Sequence, residues 1–270
     1  MMRLNKIMLS ACVIGIANIA NAAMYVPPPS TTPSETNTGN KGIYVGIGVG
    51  GISLDAETNG AGNITTDGVL TDTSNSVNAG NQGVNGSIFG GYAWTFSNKL
   101  FLAGEIFGTL TNVPVDAVGN SNTDTDPSLN QATDTTDVSM RLKGTYGVRL
   151  LPGYQVTQST VVYGLVGYSR ADIDSSATHT LSVTPAGGDT TSFESSNSDS
   201  NWFNGLQLGV GSMVKVAEHV ALRGDIIWTG YQSQTIQSGG VSNADGSSAG
   251  SISATPTTLE GNVSLVYMFD

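Results

Sequence analysis

Few residues in this chain have the types and spacing that chemistry needs. The histidines are His179 and His219, and Cys12 is the one cysteine, so no intramolecular disulfide can form. His179 could serve a Ser or Asp nucleophile in a lipid-acting enzyme, yet no such residue stands at a recognisable spacing from it. The run Asn122-Thr123-Asp124-Thr125-Asp126 has the alternating oxygens of a calcium loop, but Pro127 stands where that loop needs glycine. The expectation is no catalytic residue, no metal ligand set and no cofactor, with the loop acids solvated.

The charges that recur at every second position are more informative. Arg141, Lys143 and Arg149 alternate with Met140, Leu142, Val148 and Leu150, and Arg223 and Asp225 alternate with Leu222 and Ile226. A period of two belongs to a strand with unlike faces. With the apolar face turned to lipid, the other face carries Glu105, Arg141, Lys143, Arg149, Lys215, Arg223, Asp225 and Glu260 into a lumen. Eight strands enclose an interior just wide enough for side chains to fill. An unpaired charge there costs about several kcal/mol, so these residues are expected to pair into a lumen charge network, with an ion path through it as the alternative.

The elements that would position them are eight amphipathic runs, at residues 42–55, 83–96, 100–113, 138–151, 160–174, 202–216, 220–232 and 257–269. In the first, Ile43, Val45, Ile47 and Val49 alternate with Tyr44 and glycines. In the last, Leu259, Val263, Leu265, Tyr267 and Phe269 oppose Glu260, Asn262 and Ser264. In the fifth, both faces of VVYGLVGY are apolar, and its orientation stays open. Short connections at 97–99, 152–159 and 217–219 alternate with long ones at 56–82, 114–137, 175–201 and 233–256. That rhythm, with Tyr and Trp near the run ends, fits an all-β fold: an eight-stranded antiparallel transmembrane β-barrel with four long extracellular loops and three short periplasmic turns. A soluble β-sandwich also has short alternating strands but does not account for the rhythm.

Composition agrees. The chain of 270 residues has 35 glycines, only 11% charged residues and a net charge of -11, and ten Lys and Arg in all are too few to neutralise phosphates, so nucleic acid is not an expected partner. None of those cations falls in the four long connections, whereas acids such as Asp124, Asp126, Asp134 and Asp137 recur there.

Residues 1–22 read as a signal peptide: Arg3 and Lys6, an apolar stretch from Ile7 to Ile19, and Ala20-Asn21-Ala22 as the cleavage signal. Leu9-Ser10-Ala11-Cys12 has the look of a lipoprotein box, but the apolar core before Cys12 is too short for that route. Residues 23–41, with Pro27-Pro28-Pro29, read as a linker, and 42–270 as the barrel.

The stretches YGVRLLPGYQVTQSTVVYGLVGYSRADID, GLQLGVGSMVKVAEHVALRGDIIWTGY and GNVSLVYMF resemble the outer-membrane β-barrel family of opacity-type surface antigens and the OmpA transmembrane domain. The resemblance covers roughly residues 42–269. It implies a cell outer-membrane location, contact with outer-membrane lipid and lipopolysaccharide, insertion by the barrel assembly machinery, and surface loops that meet a host or cell-surface ligand. It carries over no catalytic residue. Two departures stand out: Phe269 is followed by Asp270, and no carboxy-terminal peptidoglycan-binding domain is expected after the barrel. The expected role is structural and surface-interacting, not enzymatic, with a small porin as the alternative.

Overall fold

A strand whose alternate residues face different surroundings is stable only when its backbone groups pair sideways, and in a bilayer the sheet must close on itself. The computed structural model shows that closure and describes residues 41–66, 69–123, 131–184, 189–242 and 246–269. The expected leader at 1–22, residues 23–40 of the expected linker and the Asp124–Pro127 part of the calcium-like run lie outside the described residues.

The strands are β1 (Lys41–Thr66), β2 (Val69–Thr95), β3 (Leu100–Thr123), β4 (Gln131–Gln155), β5 (Thr160–Thr184), β6 (Thr191–Lys215), β7 (Val220–Tyr231), β8 (Gln234–Ser242) and β9 (Gly246–Met268). Each pairs antiparallel with its neighbours, and β1 closes the ring against β9. β7 and β8 both pair with β9, on either side of a break at Gln232 and Ser233, so together they form one stave and the barrel has eight. The short connections are 96–99, 156–159 and 216–219. In the first, Lys99 adopts the left-handed conformation (φ 66°) and Asn98 Oδ1 accepts from the Leu100 amide at 3.2 Å. Pro152 does not end β4, which runs on to Gln155, so the second turn is shorter than the sequence suggests.

The long connections are also different in kind. Most of their residues continue the ladders as β-hairpins, with pairing up to Thr66↔Val69, Thr123↔Ala132, Val183↔Thr191 and Ser242↔Ser247. Ser, Thr, Asn and Gly masked this in the sequence, because they read as loop formers when no tertiary partner is known.

The wall changes character along its height. Near the short turns the outward side chains are apolar, among them Ile47, Val49, Ile106, Leu110, Val148, Leu206 and Val263, all exposed. Aromatic residues edge this belt: Trp94, Phe96, Tyr154 and Tyr267 at the turn end, and Tyr146, Tyr168, Trp202 and Trp228 at the other. Tyr146 meets Trp202 edge to face at 5.6 Å. Such a belt matches the hydrocarbon of a bilayer and its interfaces. Beyond it the wall inverts. Asp55, Glu57, Asp116 and Arg141 point out, while Ile52, Leu54, Val115, Met140 and Leu142 are buried inside.

The inversion has a visible cause in β1 and in β4. In β1 the apolar phase slips by one residue between Val49, which faces out, and Ile52, which faces in. In β4 the backbone does it: the register shifts between Leu142 and Gly144, so Lys143 is bulged out of the ladder with β5. A bulge of one residue turns all later side chains to the other face. Between β2 and β3 the ladder stops at Asn85↔Thr111, and two side-chain bonds carry the seam upward: Thr111 Oγ1 to the Val84 carbonyl at 2.9 Å and Asn81 Nδ2 to the Pro114 carbonyl at 2.8 Å. Pro114 has no amide to offer a ladder there.

Candidate functional site: a buried charge layer in the lumen

The interior has three layers. Toward the short turns lie Tyr44, Phe89, Phe101, Phe107, Leu151, Tyr163 and neighbouring apolar groups. Away from them, Ile52, Leu54, Val113, Met140, Ile173 and Phe203 belong to a second apolar cluster. Between the two are Glu105, Arg149, Arg223, Asp225 and Glu260, each at most 6% exposed, with Gln207, Asn85, Asn262 and several hydroxyls.

The ladder itself brings the first pair together, since Glu105 of β3 stands opposite Arg149 of β4. Arg149 Nη1 lies 3.5 Å from Glu105 Oε1, its Nε donates to Gln207 Oε1 at 2.8 Å, and its guanidinium lies 3.5 Å over the Phe107 ring. Arg223 reaches across the lumen, with Nη1 on Glu105 Oε2 and Nε on Asp225 Oδ2 at 2.7 Å. Two tyrosines complete the acceptors: Tyr44 donates to Glu105 Oε2 at 3.0 Å and Tyr163 to Asp225 Oδ1 at 2.6 Å. Gly211 gives that second contact its room, because a Cβ there would overlap both Asp225 Oδ1 and the Tyr163 hydroxyl. Glu260 of β9 accepts from Asn85 and Asn262 through Oε2.

Three of the eight charges read into the lumen stand elsewhere. Arg141 and Lys143 project outward beyond the aromatic edge, because the β4 bulge flips their phase. Lys143 donates to Asp174 Oδ1 at 2.8 Å, both half-exposed. This contact, outside the apolar belt, raises the Lys143 ammonium pKa and lowers that of the Asp174 carboxyl. Lys215 ends β6 at the turn rim, exposed. Arg170, not singled out by sequence, joins the outward cations, 5.2 Å from the Trp202 ring. Asn85 and Gln207 were also missed. Both are neutral, and only the packing reveals them as the donors and acceptors that fill the layer.

Among the described residues the arrangement does not present a nucleophile with a base. His219 lies in the 216–219 turn, its ring 5.9 Å from Tyr267, while the backbone of His179 pairs with Thr136 and Ser195 in the far part of β4, β5 and β6. Among the described residues no group of His, Cys, Asp and Glu is clustered to hold a metal. A hollow of about 770 Å³ lies on the outer wall, lined by Val49, Val84, Leu110 and Val263 and reaching Gly50, Asn85 and Gly261 beside the charge layer. The layer can hold charge, fix the stave register and block the lumen.

No protein-family model and no curated protein matches the sequence. Among solved structures, the chain is similar to the outer membrane protein OprG from Pseudomonas aeruginosa, at 13% identity over 84% of this chain and 96% of that one, with a TM-score of 0.41. It is similar to the outer membrane protease OmpT from Escherichia coli, at 10% identity over 88% and 99% of the two chains and a TM-score of 0.34. It is also similar to Ail, the attachment invasion locus protein of Yersinia pestis, at 14% identity over 77% and 98% and a TM-score of 0.26.

Proposed function

We propose that the protein is an outer-membrane surface barrel, exported by a cleaved leader, whose role is structural and surface-interacting. The observation that carries this reading is the filled interior. The charge layer is closed on both sides by apolar clusters whose members are 8% exposed or less, so the lumen holds the staves together and leaves the work to the projecting hairpins. Lipid and lipopolysaccharide surround the belt in this reading, and the barrel assembly machinery inserts it. The hairpins offer exposed Asp55, Glu57, Asp116, Asp137, Glu194 and Asp199, an acidic surface that repels polyanions and favours a host or cell-surface partner of basic or neutral polar character. The reading assigns the protein no enzymatic activity.

The test is single-channel conductance of the folded protein in a planar bilayer, with the gel shift between boiled and unboiled samples as the folding control. Silence is expected. Reproducible current steps that change in Glu105→Ala would make the protein a small porin and overturn the reading.

A further inference from the structure

Five ionisable side chains are sealed in the lumen layer, Glu105, Asp225 and Glu260 against Arg149 and Arg223, which leaves one negative charge in excess. The two arginines are engaged with Glu105 and Asp225. Glu260, 0% exposed, forms no ion pair among the described residues, so the excess falls on it. A buried charge without a counter-charge is costly, and something must offset it.

The neighbours of Glu260 indicate what. Asn85 Nδ2 and Asn262 Nδ2 both donate to Glu260 Oε2, at 3.2 Å and 3.3 Å. An amide that turns its NH2 to a carboxylate turns its oxygen away. Asn85 Oδ1, Asn262 Oδ1 and Glu260 Oε1 are all buried and accept no hydrogen bond from the described residues. The register brings the two amide oxygens together. Gly50 of β1 pairs with Asn85 on one side and with Asn262 on the other, and a Cβ at Gly50 would overlap both Oδ1 atoms and the Gly261 carbonyl. Converging lone pairs beside an excess negative charge repel one another unless a cation or a proton lies among them.

We propose that Glu260, Asn85 and Asn262 hold a monovalent alkali cation. The donor set is all oxygen, which suits hard cations, and the single excess charge matches one positive charge, whereas a divalent ion would leave the layer positive. Because apolar clusters close the layer on both sides, the ion enters as the barrel folds and exchanges slowly afterwards. The proposal is independent of what the hairpins bind.

The experiment folds the whole protein in sodium chloride or in choline chloride at equal ionic strength and compares the unfolding midpoints. An ion that binds the folded state alone stabilises it by mass action, so sodium should raise the midpoint, and Glu260→Gln, which keeps the shape and removes the excess charge, should abolish the difference. Lys143→Gln on the outer wall should leave it unchanged. Equal midpoints in the two salts would overturn the site, as would a sodium effect that persists in Glu260→Gln. If that variant does not fold, native mass spectrometry of the sodium-folded protein decides. One retained sodium per barrel supports the site, and its absence overturns it.

Discussion

Replacing Arg223 by Met tests whether the charge layer holds the barrel together. Methionine keeps most of the volume, so the cavity contribution stays small, while Glu105 loses one of its two arginines and Asp225 its only ion-pair partner among the described residues. The cation-π contact of Arg223 with Phe89 at 4.5 Å is lost as well. Removing one partner of a buried ion pair costs about 3 to 5 kcal/mol, because the remaining charge is left without compensation. Two charged hydrogen bonds at about 1.5 to 3 kcal/mol each give a similar range. At about 1.4 kcal/mol per decade, the folding equilibrium should shift by roughly two to three and a half decades. The assay is a urea titration followed by the gel shift of unboiled samples, with Lys143→Met on the half-exposed outer pair as the reference, where little or no loss is expected. Adding Asp225→Asn to Arg223→Met should cost less than the sum of the two single changes, since the charge left unpaired is then removed too. Equal losses in Arg223→Met and Lys143→Met, or strict additivity in the double variant, would refute the argument.

Phe203, 0% exposed in the apolar cluster beyond the belt, should cost about 3 to 5 kcal/mol when cut to Ala, read as a lower urea midpoint. Deleting Lys143 removes the β4 bulge and would turn Leu142, Met140 and Val138 outward, so the heat-modifiable band should be lost even though that side chain contributes little itself. Lys99→Gly relieves a left-handed backbone at the first turn and should leave the midpoint equal or slightly higher, whereas Lys99→Val should lower it. Trypsin added to intact cells should leave the protein whole, because residues 56–82, 114–137, 175–201 and 233–256 contain no Lys or Arg and the outward Arg141, Lys143 and Arg170 lie in paired strands.

Alternation is a local property of a strand, so the eight staves, their outward belt residues and the order of short and long connections can be read from runs such as Ile43 to Val49 and Leu259 to Phe269 without a partner. The same holds for Glu105, Arg149, Arg223, Asp225 and Glu260, whose positions keep one phase with the apolar belt around them. Face, however, is defined relative to a phase, and phase is set by neighbours. Arg141 and Lys143 follow the same numerical parity as Arg149, yet one bulged residue places them outside, and a bulge arises from pairing with β5 and not from the residues of β4 alone. The long segments rich in Gly, Ser and Asn carry weak strand propensity, so their ladders exist because closure of the ring brings each hairpin its neighbours and gives Ile52, Leu142 and Phe203 a common interior. The pairing of charges across the lumen, and the meeting of Asn85 with Asn262 over Gly50, depend on side chains from strands far apart in sequence. Local composition does not encode such contacts; the closed register does.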